Sequence, residues 1–338
     1  MANGIGFPNL GVFLENVPRS ITLFGFEIAF YGILIGLAFI IGFFIAFSEG
    51  KRLNLNEEEI TNMGIVGGAS GIMGARLMYV IFAWEAYRYN LLGIFNFRTG
   101  GLAVYGGVIA ALVALIIYTK IKKINFLLIG DIAVLTIVNG QMIGRWGNFF
   151  NREAFGEYTN NLLAMELPLN DVRRASVTPL MEENISVING ISFIQVHPTF
   201  LYESMWNLGL LCFLWFLRKR KKYHGQLLFI YMLGYGVGRF WMESLRTDQL
   251  VISGLGLPVS QVIAGLSIVA AVILMVRFKD KEDAEIISMY VENTDADVKV
   301  EEEAKTDIIT EAKIETEVVP NIDAEVDAKG DKEVEAEL

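Results

Sequence analysis

Arg145, Asn148, Asn151 and Arg152 recur at spacings of three and four within "GRWGNFFNREAFG", residues 144–156. A helical continuation through that stretch sets them along one face. Arg239, Glu243 and Arg246 form a second series on successive turns, a spacing that suits an ion pair as well as a site. Arg76, Asp131 and Glu203 also stand inside apolar runs, where a charge is costly and usually faces a cavity or a partner. Guanidinium forks match phosphate oxygens two at a time and stay charged in a partly dry site. Arginines held by carboxylates at the edge of an apolar medium therefore point to a ligand that joins acyl chains to a phosphate, such as a phospholipid head group. Gly144, Gly147 and Gly156 allow a backbone to approach such a ligand or another helix closely.

The elements that must position these groups are membrane helices. The 338 residues are 53% hydrophobic, with a mean hydropathy of +0.44, too apolar for an ordinary soluble domain. About 20 mostly apolar residues span the hydrocarbon, and seven runs qualify, near 27–47, 60–82, 101–119, 125–146, 198–217, 225–244 and 258–277. Basic residues crowd every second connection: Lys51 and Arg52, then Lys120, Lys122 and Lys123, then "RKRKK" (218–222), then Arg277, Lys279 and Lys281. That alternation predicts an all-α polytopic membrane protein of seven transmembrane helices, N-terminus outside and C-terminus cytoplasmic. The one long connection, about 147–197, then lies outside as a small extracytoplasmic head (152–196) between helices four and five, with turns and short strands. The amphipathic stretch "FPNLGVFLENVPRSITLFG" is expected along the outer leaflet, and no cleavable signal is evident.

Residues 280–338 hold 21 acidic side chains against 6 lysines, so the rest of a chain whose total charge is −10 is mildly basic. We expect a membrane catalytic domain over 1–279 and an acidic disordered cytoplasmic tail over 280–338, which has too little apolar surface to fold alone. The single cysteine, Cys212, excludes an intramolecular disulfide or a thiolate metal cluster and is expected to pack in the interior. Asp131 starts from the cytoplasmic side, which favours a helix-start or packing role.

Gly67 and Gly71, and Ser70 and Gly74, repeat at the four-residue spacing that lets helices approach closely. "GASG" (68–71) also fits the nucleophile motif of an intramembrane serine protease. The two histidines, His197 and His224, both fall outside membrane depth, which leaves Ser70 without a base. A rival from another class is a seven-helix anion or lipid transporter that binds its substrate with the same arginines. No inverted repeat supports it, and the last span carries no lysine before Lys279, against a retinal pigment.

"GRWGNFFNREAFG" closely resembles the G-R-x-G-N-F-x-N-x-E-x-x-G motif of bacterial prolipoprotein diacylglyceryl transferases. "YG" (31–32), "GARLMYV" (74–80), "GGLAVYGG" (100–107), "HPTFLYE" (197–203) and "GRFWMESLR" (238–246) follow in family order, so the resemblance covers roughly residues 20–278. It implies an inner-membrane enzyme, with its site toward the outer leaflet, that takes phosphatidylglycerol and a preprolipoprotein. The diacylglyceryl group passes to the lipobox cysteine as a thioether, and glycerol phosphate leaves. The resemblance further implies that Arg145 and Arg239 hold the phosphate, that Tyr31, Asn148, Glu153 and Gly156 match functionally important positions, and that Glu243 pairs with Arg239. Arg246, Arg76, Glu203 and His197 join the expected lipid-binding set. No metal, cofactor or nucleic acid is implied. Tyr105 stands where some relatives carry a histidine proposed as the base, and with a reference pKa near 10 it is better suited to donate a hydrogen bond, with His197 as the alternative base. Phe200 stands where many relatives have glutamine.

Overall fold

A computed structural model of the chain describes residues 4–96 and 100–278. Nine α-helices lie within them: α1 (Phe30–Arg52), α2 (Glu57–Phe82), α3 (Trp84–Tyr87), α4 (Val104–Lys122), α5 (Phe126–Asn151), α6 (Pro179–Glu183), α7 (Thr199–Leu217), α8 (Gln226–Leu245) and α9 (Val259–Phe278). Six of the long ones, α1, α2, α4, α5, α7 and α9, are long and apolar enough to cross a membrane. Helix α8 has the length, but Gln226, Arg239 and Glu243 dilute its apolar character. The chain is thus a mostly helical, multi-pass membrane protein. The acidic tail expected over 280–338 lies outside the described residues.

Local chemistry starts the helices where the apolar runs begin. The Asn56 side chain accepts from the Glu58 N–H at the head of α2, where Glu57, Glu58 and Glu59 meet the positive end of the helix dipole. Asn125 accepts from the Leu127 N–H at the head of α5. Helix α5 is the axis of the bundle and the most enclosed span. Helix α1 packs along one side of it and α7 along another, α8 bridges α7 and α9, and α2 packs chiefly against α4.

Glycine sets the closest of these crossings. A Cβ on Gly74 would fall 2.1 Å from the Ala110 Cβ and 2.6 Å from the Gly106 carbonyl oxygen, and one on Gly107 would fall 2.9 Å from the Gly71 oxygen. The small-residue spacing therefore does what membrane helices use it for, since lipid offers no hydrophobic gain for helix association and dispersion at close range must supply it. The Ser70 hydroxyl donates to the Val66 and Gly67 carbonyls of its own helix, at 2.5 and 3.2 Å.

At the end of the bundle that carries the basic connections, the buried Asp131 carboxylate joins α5 to α8. It lies 2.8 Å from Lys221 Nζ and accepts from the Gly225 and Leu228 N–H groups at 2.9 and 3.0 Å. The expected helix-start role is real, but the helix that Asp131 caps is α8 rather than its own. Glu49 pairs there with Arg52 and Arg218.

The all-α expectation is corrected at the other end, where a five-stranded sheet in the order β2-β1-β5-β7-β6 forms a head. Its strands are β1 (Ile5–Phe7), β2 (Val12–Leu14), β5 (Met165–Pro168), β6 (Ser186–Ile188) and β7 (Ile191–Val196), while β3 (Ser20–Leu23) and β4 (Phe26–Ala29) make a separate hairpin. The head therefore draws on the N-terminal segment as well as on 152–196, with Gly6 paired to Glu166. Ile5, Leu167, Ile194 and Val196 of its strands are fully buried with Met181 of α6 in one core, each worth roughly 1.5–3 kcal/mol. Cys212, expected inside, lies exposed on α7. Its neighbours Leu210 and Leu214 take the inward face of that helix instead.

Candidate active site

Where α5, α7 and α8 meet below the head, Arg145 and Arg239 share the Glu203 carboxylate. Arg145 Nη2 is 2.6 Å from Glu203 Oε2, and Arg239 Nη1 is 3.3 Å from Oε1. Arg239 Nη2 also lies 2.5 Å from Glu243 Oε2, one turn along α8. Both carboxylates are buried. In this setting an unpaired ion would cost several kcal/mol, so the pairs fix one another.

Glycine and tryptophan make the convergence possible. A Cβ on Gly238 would fall 2.2 Å from Trp206 Nε1, whose N–H donates to the Gly234 carbonyl at 3.0 Å. Trp146 Nε1 donates to Ser204 Oγ at 3.1 Å, and that hydroxyl donates to the Met142 carbonyl at 3.0 Å. These links draw the N-terminal half of α7, which carries Glu203, against both neighbours. Phe200 fills the same corner, 4.9 Å from Phe149 and 5.4 Å from Trp146 between ring centres.

Around Arg145 the long motif folds back on itself. Arg145 Nη1 donates to Asn148 Oδ1 at 3.4 Å. Asn148 and Asn151 both donate to Glu153 Oε1, at 3.1 and 3.2 Å. Arg152 leaves the face on which its spacing placed it. It ends α5 in the left-handed region at φ 55°, which swings its buried side chain into the head. There it donates to the Val17 and Phe150 carbonyls and pairs with Asp171 at 3.2 Å. Burial lowers the Arg152 pKa, against the opposing charge of Asp171.

Gly156, His197 and Arg246 are stitched together by backbone. The Gly156 N–H donates to the His197 carbonyl at 3.0 Å, and the His197 N–H donates to Glu157 at 3.0 Å. Gly156 also bridges to Arg246. A Cβ on Gly156 would lie 2.7 Å from the Leu245 oxygen, so no larger residue fits. His197 Nδ1 is 3.3 Å from the Tyr202 hydroxyl, and burial lowers its pKa, only partly offset by Glu157. Arg246 holds Asp248 through two 2.9 Å bonds and also feels the charges of Glu203 and Glu243. Burial works against both charges, yet this pairing raises the Arg246 pKa and lowers that of Asp248.

A cavity of about 750 Å3 opens from this cluster into the bundle between α1, α2, α4 and α5. Tyr31, Arg145 and Asn148 line its polar end, and Phe39, Met63 and Ile129 part of its apolar remainder. From Asn148 to Ile129 it follows α5 for roughly 28 Å, at 1.5 Å per residue. Tyr31 is held at the mouth by Gly147, where a Cβ would sit 1.7 Å from its ring.

Tyr105 reaches the cluster at one remove. Its hydroxyl is 3.5 Å from Ser260 Oγ, which accepts from Arg239 Nη2 at 3.3 Å. Arg76 is not brought in. Buried in α2, it donates to the carbonyls of Gly93, Ile94, Asn96, Gly100 and Gly101 and lies over the Tyr87 ring. Ser260, Trp206 and Ser204 went unremarked in the sequence, since a lone serine or tryptophan in an apolar run carries no spacing signal.

With five N–H donors in each guanidinium, Arg145 and Arg239 retain capacity for phosphate oxygens beyond their carboxylate partners. The arrangement can hold an anionic head group at the mouth of an apolar cavity.

A family model described as prolipoprotein diacylglyceryl transferase matches residues 18–277. The chain is 41% identical over 262 residues to the phosphatidylglycerol–prolipoprotein diacylglyceryl transferase of Clostridioides difficile (strain 630), covering 78% of this chain and 95% of that relative. The proteins of the same name from Finegoldia magna and Bacillus cytotoxicus are 40% and 39% identical, each covered over 95% of its length by 77% and 79% of this chain.

Proposed function

The chain belongs to the prolipoprotein diacylglyceryl transferase family, and we propose that the cluster around Glu203 is where it performs the family's reaction. It is a transferase that moves diacylglyceryl from phosphatidylglycerol to prolipoprotein. The rival reading as an anion or lipid transporter finds no support among these relatives. The observation that carries the site is the meeting of Arg145 and Arg239 on one carboxylate, with Arg145 also lining a long apolar cavity.

In this reading the acyl chains of phosphatidylglycerol lie in the cavity and the phosphate meets Arg145 and Arg239. The thiol of the lipobox cysteine, with a reference pKa of about 8.5, loses its proton to become the nucleophile. Its sulfur attacks the diacylglycerol carbon that bears the phosphate oxygen. The S–C bond forms as the C–O bond breaks, and glycerol phosphate leaves with the bonding electrons. The two guanidiniums stabilise the charge that grows on the leaving phosphate and raise the potential that favours the thiolate. Glu203 and Glu243 hold the arginines, Asn148 and Glu153 orient Arg145, and Tyr31 lines the mouth. Gly156 keeps Arg246 and His197 close. His197, kept neutral by burial, suits the proton acceptor better than Tyr105.

All seven long helices cross the bacterial cytoplasmic membrane in this proposal, with the N-terminus and head outside. Lys51, Lys122 and the 218–222 cluster at the opposite end of the bundle support that orientation. The test is purified protein with phosphatidylglycerol and a lipobox peptide. Glycerol phosphate released only when the peptide carries its cysteine supports the reading. Release without transfer to the peptide would make the protein a phospholipase, and no release would sink the assignment.

A further inference from the structure

Strands β3 and β4 pair with Ile21 opposite Ile28 and Leu23 opposite Phe26. Side chains alternate across a strand, so these four share one face. Thr22 and Glu27 take the other, where the Ser20 hydroxyl donates to Glu27 Oε1 at 2.6 Å. At the tip, Phe24 and Gly25 adopt φ 50° and 81°. Positive φ at both central residues is the geometry of a tight hairpin turn, and glycine or asparagine would adopt it at less cost than phenylalanine. The chain nevertheless places a phenylalanine there and leaves it 92% exposed. Phe26 is 71% exposed, and Ile21, Leu23 and Ile28 are also exposed.

A two-stranded hairpin is marginal in water on its own, and a contiguous apolar face of this kind marks a contact. The hairpin is tied to the head at its base, where Arg19 donates to the Asp171 carbonyl. Strand β4 then runs without a break into α1 at Phe30, the start of an apolar span. From Ile21 to Phe26 the chain carries no charge, which suits hydrocarbon beside the apolar span of α1 better than the charged rim a soluble partner would meet.

We propose that the β3–β4 hairpin is a membrane anchor that lays Ile21, Leu23, Phe24, Phe26 and Ile28 into the leaflet on the head side of the bundle. Insertion fixes the first turn of α1, and with it Tyr31 at the cavity mouth. The inference depends on α1 crossing the membrane and not on the reaction, so it stands or falls separately from the assigned chemistry.

The single cysteine makes the test direct. In a Cys212→Ser background, Phe24→Cys carries a nitroxide in vesicles of phosphatidylethanolamine and phosphatidylglycerol. Val187→Cys, on the exposed β6 strand of the head, is the water reference. Collisions with oxygen, which partitions into hydrocarbon, should exceed those with a water-soluble nickel chelate several-fold at position 24, with the order reversed at position 187. Leu23→Cys repeats the measurement should Phe24→Cys fail to insert. Nickel accessibility at 24 equal to that at 187 overturns the proposal. So does spin–spin broadening at 24 that vanishes on dilution with unlabelled protein, which would mean that a second copy covers the face.

Discussion

Arg145 and Arg239 are joined through a single carboxylate: Glu203 lies 2.6 Å from the first and 3.3 Å from the second. Two like charges from α5 and α8 are thereby held within reach of one anion before any substrate arrives. Such preorganisation is where the electrostatic contribution to catalysis originates, because the donors need not reorganise as charge develops. Glu203 is a positioning residue in this scheme, and the arginines meet the phosphate.

Glu203→Gln should therefore cost more than a hydrogen bond. It removes the shared partner of two largely buried guanidiniums, and breaking a buried pair in this way costs about 3–5 kcal/mol. We expect lower thermal stability together with a loss of turnover, read as glycerol phosphate release. A variant as stable and active as the parent would show that the arginines need no common anchor.

Replacing either arginine by lysine tests the fork. Lysine keeps the charge but presents a point donor in place of a planar pair. Removing a donor aimed at developing charge costs about 100- to 1,000-fold in kcat, so Arg145→Lys and Arg239→Lys should each fall by at least 100-fold while remaining inserted and folded. Near-parental kcat in both would dismantle the phosphate clamp.

The contact of Tyr31 with Gly147 gives a sharper comparison. A methyl group at 147 would sit 1.7 Å from the Tyr31 ring, whereas one at Gly144 would meet Ile35 at an ordinary 3.6 Å. Overpacking costs about 1–3 kcal/mol, so Gly147→Ala should displace Tyr31 and reduce both stability and activity. Gly144→Ala should stay within roughly 0.5 kcal/mol of the parent. Thermal unfolding in detergent beside the peptide assay distinguishes them, and equal effects would count against the contact.

Six spans were legible because each of their 19 to 26 residues adds to one apolar signal, and the glycine spacing of α2 announced a close helix crossing without saying that α4 makes it. The sheet was legible only as short strands expected in the long connection, since strands of three to six residues are too short to show which pair, and β1 finds β5 far along the chain. Arg239 met Glu243, and Arg145 met Asn148, because periodicity within a helix survives folding. Arg152 failed the same test because one left-handed residue at the helix end reverses the direction of a side chain, and spacing contains no sign of that. The double role of Glu203 was invisible for a different reason: three helices must be placed before one carboxylate can be seen to face two arginines.

His197 supplies a pH prediction. Burial lowers its folded pKa below the reference 6.5, so between the folded value and 6.5 the unfolded chain binds more protons and stability rises with pH. Above 6.5 both states are neutral and the histidine contributes nothing. The head should thus lose stability as pH falls below about 6.5, and His197→Gln should flatten that dependence without changing the plateau above pH 7.5. Melting temperatures of the two proteins at pH 7.5 and 5.5 decide it. The same acid loss in both would place the titrating group elsewhere.

Arg76 separates holding the protein from holding the lipid. Its guanidinium gathers carbonyls from Gly93 to Gly101, closing the segment between α2 and α4 on the Tyr79 and Tyr87 rings. A lysine ammonium has three donors and cannot reach five carbonyls spread around a planar fork. Charged hydrogen bonds contribute roughly 1.5–3 kcal/mol each, so Arg76→Lys should lower the melting temperature clearly. The folded fraction should keep the parental KM for phosphatidylglycerol, because Arg76 is outside the Arg145–Glu203–Arg239 cluster. A raised KM with unchanged stability would return Arg76 to the lipid-binding set that its place in the "GARLMYV" stretch suggested.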